Sequence, residues 1–227
     1  MSTSKSAEEA YREGTDHQFD QQELSLGPWT SYSLVHDPKH MAFVLARYKF
    51  VAKMLDGKQN VFEVGSGDGF GLPLVAQHVG RVSCIDWDAR LLEGNKRRLA
   101  HLTNVDYLLM DLNKEQPKVK ADAVYSIDVL EHIEPAQEAQ FVENMVRCLT
   151  PDGVLITGTP NVTASAHASP RSLVQHINLK SMRSLKELMQ GYFENVFMFG
   201  QNDEVVHTGY APMCHYIWAV AAGKKAR

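Results

Sequence analysis

The chain of 227 residues carries a formal net charge of -4, with 44% hydrophobic and 22% charged residues. This length suffices for one large hydrophobic core, and the weak negative charge argues against extended contact with a nucleic-acid backbone. The three cysteines, Cys84, Cys148 and Cys214, have no paired spacing, which argues against a disulfide scaffold and a thiolate metal site. With no signal core and no apolar window of roughly 20 residues, we expect a cytoplasmic protein without a membrane partner.

The N-terminal part is predicted in three steps. Residues 1–26 are polar and acidic, and we predict a tail there. Trp29 and Tyr32 are costly to leave in water, so the segment that holds them should fold back over another part of the chain. Asp37-Pro38 predicts a helix N-cap and first turn, and apolar residues at helical spacing continue to Leu55.

Short apolar runs then alternate with helix-length segments, a pattern that indicates βαβ units and a parallel sheet covered on both faces. The predicted strands are 61–64, 82–85, 105–109, 123–127 and 154–157. The predicted helices are 72–79, 89–102, 136–149 and 181–190, and Thr150-Pro151-Asp152-Gly153 predicts a turn after the third of them. Two late runs, 195–199 and 215–222, are predicted to pair as an antiparallel hairpin around a long loop at 200–212.

The most informative stretch runs from an apolar strand into a loop with glycines at 65, 67, 69 and 71. Glycine permits sharp turns and lets a ligand approach the backbone closely where a helix begins, so a nucleotide-type cofactor is expected. The Gly-x-Gly-x-x-Gly spacing of dinucleotide-binding loops is absent, because the sixth positions counted from Gly65 and Gly67 are Phe70 and Leu72.

Carboxylates lie in or just after the first three predicted strands, at Glu63, Asp68, Asp86 and Asp111. Such a ring of negative charge repels phosphates. It suits a cofactor with a cationic sulfonium, an amino group and a free ribose diol, since a carboxylate accepts hydrogen bonds from a diol or an amine.

The run Glu63-Val-Gly-Ser-Gly-Asp-Gly69 resembles the glycine motif of class I S-adenosylmethionine-dependent methyltransferases, and the likeness covers about residues 55–160. The run Asp-Val-Leu-Glu-His-Ile at 128–133 resembles that of ubiquinone-biosynthesis-type and related small-molecule members. The resemblance implies an enzyme with a doubly wound α/β fold, a mostly parallel seven-stranded sheet and an antiparallel C-terminal hairpin. It implies S-adenosyl-L-methionine as cofactor and S-adenosyl-L-homocysteine as product.

The resemblance also implies roles for single residues. The methionine moiety would be lined by Gly65, Ser66, Gly67 and Gly69. The ribose hydroxyls would be bound by Asp86, the adenine ring would lie against Trp87, and the adenine amine would be bound by Asp111 and Leu112. The floor beneath the methyl group would be formed by Ser126 and Asp128, and Glu63 is a further cofactor-binding carboxylate. We expect one methyltransferase domain at 27–223, with an N-terminal cover and helix at 27–57, a cofactor-binding core at 58–160, and a substrate loop and hairpin at 161–223.

Methyl transfer is an in-line displacement, so the protein chiefly aligns the acceptor and adds a base where a hydroxyl must lose its proton. In open α/β sheets ligands lie beyond the carboxyl ends of the strands, which selects loop residues and the N-terminal cover. The candidate catalytic residues are His176, His132 and Asp128, and the candidate substrate-binding residues are Tyr32, His36, Asn161, His167 and His207. His176 ranks first as general base, with hydrogen bonding inside its own loop as the alternative role.

The leading prediction is O-methylation of a small molecule, such as a sugar-linked or other secondary metabolite. The alternatives are N- or C-methylation, carboxyl methylation, and a non-catalytic binding or scaffold protein with this fold. No metal is predicted, although Asp203, Glu204 and His207 have side chains suited to a divalent cation. Lys96-Arg97-Arg98 is interpreted as a solvated helix face, so no nucleic-acid partner is predicted. The oligomeric state stays open, a homodimer included.

Overall fold

The computed structural model describes residues 5–19, 21 and 23–226; the predicted tail residues 1–4, 20 and 22 lie outside this range. The helices are α1 (Ala7–Phe19), α2 (Pro28–His36), α3 (Pro38–Met54), α4 (Leu72–Ala76), α5 (Ala89–Arg98), α6 (Glu138–Cys148), α7 (Pro170–Gln175) and α8 (Met182–Gln190). The strands are β1 (Asn60–Val64), β2 (Arg81–Asp86), β3 (Val105–Leu109), β4 (Ala121–Ile127), β5 (Leu149–Pro160), β6 (Phe193–Asn202), β7 (Val205–His207) and β8 (Tyr216–Lys224).

The strands of the described part form one sheet in the order β3-β2-β1-β4-β5-β8-β6-β7. The first five are parallel, β8 is antiparallel to β5, and β6 is antiparallel to β8. The predicted α/β class, with a parallel core and an antiparallel C-terminal hairpin, is confirmed. The strand order reverses between β1 and β4, so the loops after these two strands open a crevice at the carboxyl edge of the sheet.

In the residues described, the sheet has eight strands where seven were predicted. The additional strand β7 lies inside the predicted loop at 200–212 and pairs with the end of β6. Asp203 and Glu204 connect the two strands, and Asp203 takes a left-handed φ of 50°, as tight two-residue hairpin turns require.

The predicted turn at 150–153 lies within β5 rather than before it. The pairing of β5 with β4 passes from Ala121–Leu149 directly to Ala123–Val154, so the four intervening residues bulge opposite Asp122. The turn-forming residues therefore act as a bulge in a continuous strand.

Both faces of the sheet are covered by helices, as the alternating pattern predicts. One core cluster packs Phe141 and Met145 of α6 and Leu185 of α8 against the strands, and the opposite cluster includes Val51 of α3 and Leu72 of α4. These two layers hold the carboxyl edge of the parallel strands in a fixed geometry.

Helix ends differ from the predicted bounds. Helices α4 and α5 stop at Ala76 and Arg98, short of the predicted 79 and 102, because a turn follows each of them. Helix α3 begins at Pro38 as predicted, but the Asp37 side chain makes no capping hydrogen bond. The sequence period fixes a helix better than its ends.

The predicted tail contains helix α1, which buries none of its residues. Its start is a capping box, in which the Glu9 amide donates to Ser6 Oγ and the Ser6 amide donates to the Glu9 carboxylate. An ion pair between Glu8 and Arg12 adds local support. Among the described residues, no helix is long and apolar enough to cross a lipid bilayer.

Candidate functional site

The glycine loop after β1 takes the tight conformation that its composition predicts. Gly65, Gly67 and Gly69 have φ angles of 77°, 52° and 73°, where any other residue would be strained. A Cβ at Gly65 would also collide with Val129. The loop backbone is held from α5, since the Asn95 side chain donates to the Gly67 carbonyl at 2.9 Å.

Arg98 supplies a second hold on the same loop. Its guanidinium donates to the Asp68 carbonyl at 3.1 Å and to the Asn95 side chain. The prediction of a wholly solvated face at 96–98 is therefore wrong for Arg98, because the end of α5 lies against the loop. The glycine loop is thus fixed on its α5 side.

Asp86 ends β2 with its carboxylate pointing toward the glycine loop. One oxygen accepts from the Gly67 amide at 3.1 Å and the other from the Asp88 amide at 2.9 Å. The carboxylate is buried, and burial raises its pKa above the usual value. Next to it Trp87 leaves 72% of its surface exposed, which offers a free aromatic face at the rim.

The other predicted adenine residues follow β3. Asp111 accepts from the Asn113 amide at 3.0 Å and pairs with Lys114 at 2.8 Å, and these hydrogen bonds lower its pKa. Leu112 is buried, and its carbonyl is bound by the Asn144 side chain at 2.7 Å. Asp111 and Leu112 therefore lie along the same strand edge as Asp86.

A cavity of about 200 Å³ lies between the glycine loop and helices α2 and α3. It is lined by Trp29, Thr30, Ser33, His40, Met41, Val44, Tyr48, Gly65, Ser66, Gly67, Asp68, Phe70, Ile127 and Asp128. The hydroxyls of Ser66 and Ser126, which lie in the loop and at the end of β4, are buried and find no hydrogen-bond partner among the described residues. Buried hydroxyls of this kind are normally satisfied, so they are suited to a polar ligand.

Asp128 directly follows β4 and lines the cavity. It is a non-glycine residue with a φ of 56°, and its carboxylate accepts from Arg47 of α3 at 2.6 Å. The Arg47 guanidinium lies 3.9 Å from the centre of the Tyr216 ring in β8. This contact joins the N-terminal cover, the parallel core and the C-terminal hairpin at one point.

Beyond Asp128 the structure brings together Glu131, His132 and His176. One ligand atom from each lies within 4.8 Å of the others. Glu131 is fully buried; its Oε2 accepts from Thr159 at 3.0 Å, while its Oε1 has no partner among the described residues. Burial, together with the charge of Asp128, raises the pKa of Glu131 to about 8.

The two histidines of this cluster lie against each other. Their rings meet edge to face, with centroids 5.1 Å apart, and Nδ1 of His132 lies 3.0 Å from the Gln175 carbonyl. When Nδ1 donates its hydrogen to this carbonyl, Nε2 carries a lone pair, as in many histidines that ligate metals. Burial lowers the pKa of His176, which favours the neutral ring that serves as a base or a ligand.

Other predicted residues lie outside these two groups. Asn161 is buried, with both amide hydrogens donated to the carbonyls of Ala211 and Cys214, so it ties the loop after β5 to the one before β8. His207 uses both ring nitrogens, on Asn202 and on the Gly209 amide. Hydrogen bonds inside the protein thus occupy the groups with which Asn161 and His207 were expected to bind substrate.

The remaining predicted residues divide between surface and core. The rings of Tyr32 and His36 on α2 are exposed and lie tilted against each other with centroids 4.2 Å apart, and His167 is also exposed. Glu63 is buried, accepting from Tyr48 at 2.9 Å and from Cys84, and burial raises its pKa to about 7. Glu63 does not line the cavity, whereas its hydrogen-bond partner Tyr48 does.

Sequence reasoning missed Arg47, Glu131 and the place of Trp29. Glu131 stands beside His132 in the quoted run at 128–133, which was a usable signal. His176 lies 44 positions after His132 in the sequence, and the path of the loop after β5 places the two side chains next to each other. The candidate cation ligands at Asp203, Glu204 and His207 form no such cluster in the described part of the chain.

Comparisons with known proteins agree with this geometry. A family described as a methyltransferase domain matches residues 62–155. A protein of Mycolicibacterium smegmatis, described as a probable S-adenosylmethionine-dependent methyltransferase, is 32% identical over 114 residues, which cover 50% of this chain and 42% of the relative. The ubiquinone biosynthesis O-methyltransferase of Rickettsia akari is 24% identical over 140 residues, covering 60% of this chain and 55% of that protein.

Among solved structures, the N-methyltransferase NodS of Bradyrhizobium japonicum in complex with S-adenosyl-L-homocysteine superposes with a TM-score of 0.62 at 17% identity, covering 86% of this chain and 92% of that one. At that identity the likeness concerns the fold. The matched segments span only about a third to just over half of the curated relatives' length. The chain therefore contains a methyltransferase domain at residues 62–155, which includes the glycine loop after β1, and it is similar to S-adenosylmethionine-dependent methyltransferases in sequence and in fold.

Proposed function

We propose that the protein uses S-adenosyl-L-methionine to methylate a hydroxyl group of a small molecule. The proposed cofactor site, called the cofactor side below, lies at the carboxyl edge of the parallel strands and includes the glycine loop, Asp86 and Asp128. A sugar-linked or other secondary metabolite remains the acceptor class that we favour, because the acceptor side offers His, Glu and Asp rather than a basic groove.

The residues of the cofactor side fit the proposed cofactor. Gly65, Gly67 and the unpartnered hydroxyl of Ser66 would take the methionine moiety, and Ser126 and Asp128 would lie beneath it. Gly69 packs beneath the loop, against Asn95 and Leu99, and would shape the turn rather than touch the ligand.

Asp86 and its neighbours would take the nucleoside. The Asp86 carboxylate accepts one amide on each oxygen and retains lone pairs for a ribose diol. The exposed face of Trp87 would stack on the adenine, and Asp111 with Leu112 would read its amine. When bound, the sulfonium of the cofactor supplies the electrophilic methyl group.

The main observation in support of O-methylation is that Oε1 of Glu131 has no hydrogen-bond partner among the described residues. A buried carboxyl facing two histidines is a costly arrangement unless it serves a ligand. We propose that Glu131, His132 and His176 hold a divalent cation, contrary to our expectation from sequence. Such a cation, when bound, would lower the pKa of an acceptor hydroxyl. His176 acting alone as general base is the alternative within the same site.

Calorimetric titration with S-adenosyl-L-homocysteine tests the cofactor side. We expect binding at micromolar strength and no comparable heat with NAD or ATP, because the Asp86 carboxylate beside the glycine loop repels phosphates. Binding of NAD or ATP in preference would contradict the assignment. Selective binding of S-adenosyl-L-homocysteine justifies screening hydroxylated metabolites and nucleotide sugars for methyl acceptance.

Removal of divalent cations tests the acceptor side. After treatment with EDTA and desalting, we expect methyl transfer to the acceptor found in that screen to fall, and to return on addition of Zn²⁺ or Mn²⁺, the cations that His and carboxylate ligands suit. Undiminished transfer by the cation-free protein would leave His176 as the base. An acceptor that is methylated on nitrogen or carbon would contradict the O-methylation proposal.

A further inference from the structure

Helix α2 lies over the glycine loop but is attached to it at few points. Thr30 is its one buried residue, while Trp29, Leu34 and Val35 are all about half exposed or more. Segments with so few buried contacts open at lower free energy than the core elements of the same protein. The attachment of α2 therefore depends strongly on what holds Thr30.

Thr30 is held by Asp68, a residue of the glycine loop 38 positions away. The Thr30 amide donates to Oδ2 at 2.8 Å, and its hydroxyl donates to Oδ1 at 3.0 Å. The N-cap position of α2 is Gly27, which has no side chain to fill this role, so Asp68 caps the helix from another element. A Cβ at Gly27 would collide with the Asp68 carboxylate, which explains a glycine at that position.

The two sides of this contact differ in rigidity. On the loop side, the Asp68 carbonyl is bound by Arg98 and the Gly67 carbonyl by Asn95. On the helix side, only Thr30 is buried. If the contact breaks, we expect α2 to move while the loop stays in place.

Trp29 covers the loop surface that the cofactor needs. A Cβ at Gly67 would lie 2.8 Å from the indole, so the ring rests directly on this glycine, with 53% of its surface still exposed. The cavity of about 200 Å³ beneath α2 is also smaller than the roughly 300 Å³ at the lower end of pockets for ligands of this size. With Trp29 in this position the methionine subsite is partly filled by the protein.

We propose that α2 is a lid that must open to admit the cofactor, and that Asp68 with Thr30 is its latch. This inference rests on the proposed function. The latch holds the lid in the closed position seen here, so cofactor enters through the fraction of molecules in which it is open. A glycine-motif residue thereby controls access to the loop through the N-terminal cover.

The test compares association and dissociation rates of S-adenosyl-L-homocysteine, measured by surface plasmon resonance, in Thr30→Val, Gly27→Ala and wild type. Thr30→Val keeps the shape and removes one hydrogen bond of the latch, which corresponds to a shift of about tenfold in the open population. Because Trp29 of the closed lid occupies part of the cofactor's position, we expect association to speed up by about this factor and dissociation to change little, so that affinity increases. Ser31→Ala is the matched control, since it removes an exposed hydroxyl from the adjacent position of the same helix.

Each outcome bears on the proposal. Faster association in Thr30→Val and Gly27→Ala, with wild-type rates in Ser31→Ala, supports the lid, whereas a merely structural defect would lower affinity without faster association. Wild-type rates in both latch variants overturn the lid and leave the cofactor assignment intact. A wild-type protein that binds no S-adenosyl-L-homocysteine overturns the proposed function itself. Trp29→Ala provides a second measurement, in which removal of the indole should also speed association.

Discussion

Replacement of Asp86 by alanine is expected to weaken S-adenosyl-L-homocysteine binding on the order of 100-fold, because charge-assisted hydrogen bonds to a diol are worth about 1.5–3 kcal/mol each. The change also leaves the Gly67 amide without its acceptor, which would loosen the glycine loop. Calorimetry measures the affinity.

Asp106→Ala is the matched control for this experiment. It removes a carboxylate from the neighbouring strand β3, where Asp106 forms an exposed ion pair with Arg81 that contributes little to stability. Asp86→Asn, which keeps one acceptor oxygen, should lie between wild type and alanine if the fold is intact. Wild-type affinity in folded Asp86→Ala would remove Asp86 from the cofactor site.

Replacement of Glu131 by glutamine is expected to lower methyl transfer about 100-fold or more, since loss of a cation ligand forfeits several kcal/mol of stabilisation in the transition state. Glutamine can still accept from Thr159 and preserves the shape of the buried side chain. Affinity for Zn²⁺ should fall in parallel, while affinity for S-adenosyl-L-homocysteine stays near the wild-type value. Glu134→Gln, an exposed position three residues away, is the control.

The pH dependence of the same variant gives an independent readout. A cation displaces the proton of Glu131, so in wild type the affinity for Zn²⁺ should increase up to about pH 8. Without cation the folded state keeps a proton that the unfolded state loses near pH 4.5, so the free energy of unfolding should fall as pH rises toward 8. Glu63, with its pKa near 7, adds to the lower part of this fall, and the part between pH 7 and 8 should vanish in Glu131→Gln. A fall that persists there would contradict the raised pKa.

The parallel core was predictable from sequence because its signals are local. Apolar runs at 61–64 and 82–85 fall within β1 and β2, and the glycines at 65, 67 and 69 take the conformations that their residue type permits. The carboxylates follow because, once the strands are parallel, their carboxyl ends share one edge. Periodicity and chain order therefore predict the strand edge at which we propose that the cofactor binds.

The acceptor side was less predictable because its contacts join distant parts of the chain. Arg47 reads as an ordinary residue of an amphipathic helix, yet it is buried against Asp128 and Tyr216. His176 was singled out as a base, but its pairing with Glu131 depends on the path of the loop after β5. Asn161 shows the converse, since a polar residue at a strand end can be consumed by hydrogen bonds that the sequence does not reveal.

Along the chain, Asp128 marks the boundary between the residues proposed to bind the cofactor and those proposed to act on the acceptor. On the proposed assignment, the residues that would hold the cofactor lie between Gly65 and Asp128, while Glu131, His132 and His176 all come later. Substitutions from Glu131 onward can therefore change the acceptor without replacing a residue that we assign to the cofactor. Asp128, with its left-handed backbone and its ion pair with Arg47, lies at the boundary between the two sets. A new acceptor would therefore have to be positioned relative to Asp128 in order to meet the methyl group of the cofactor.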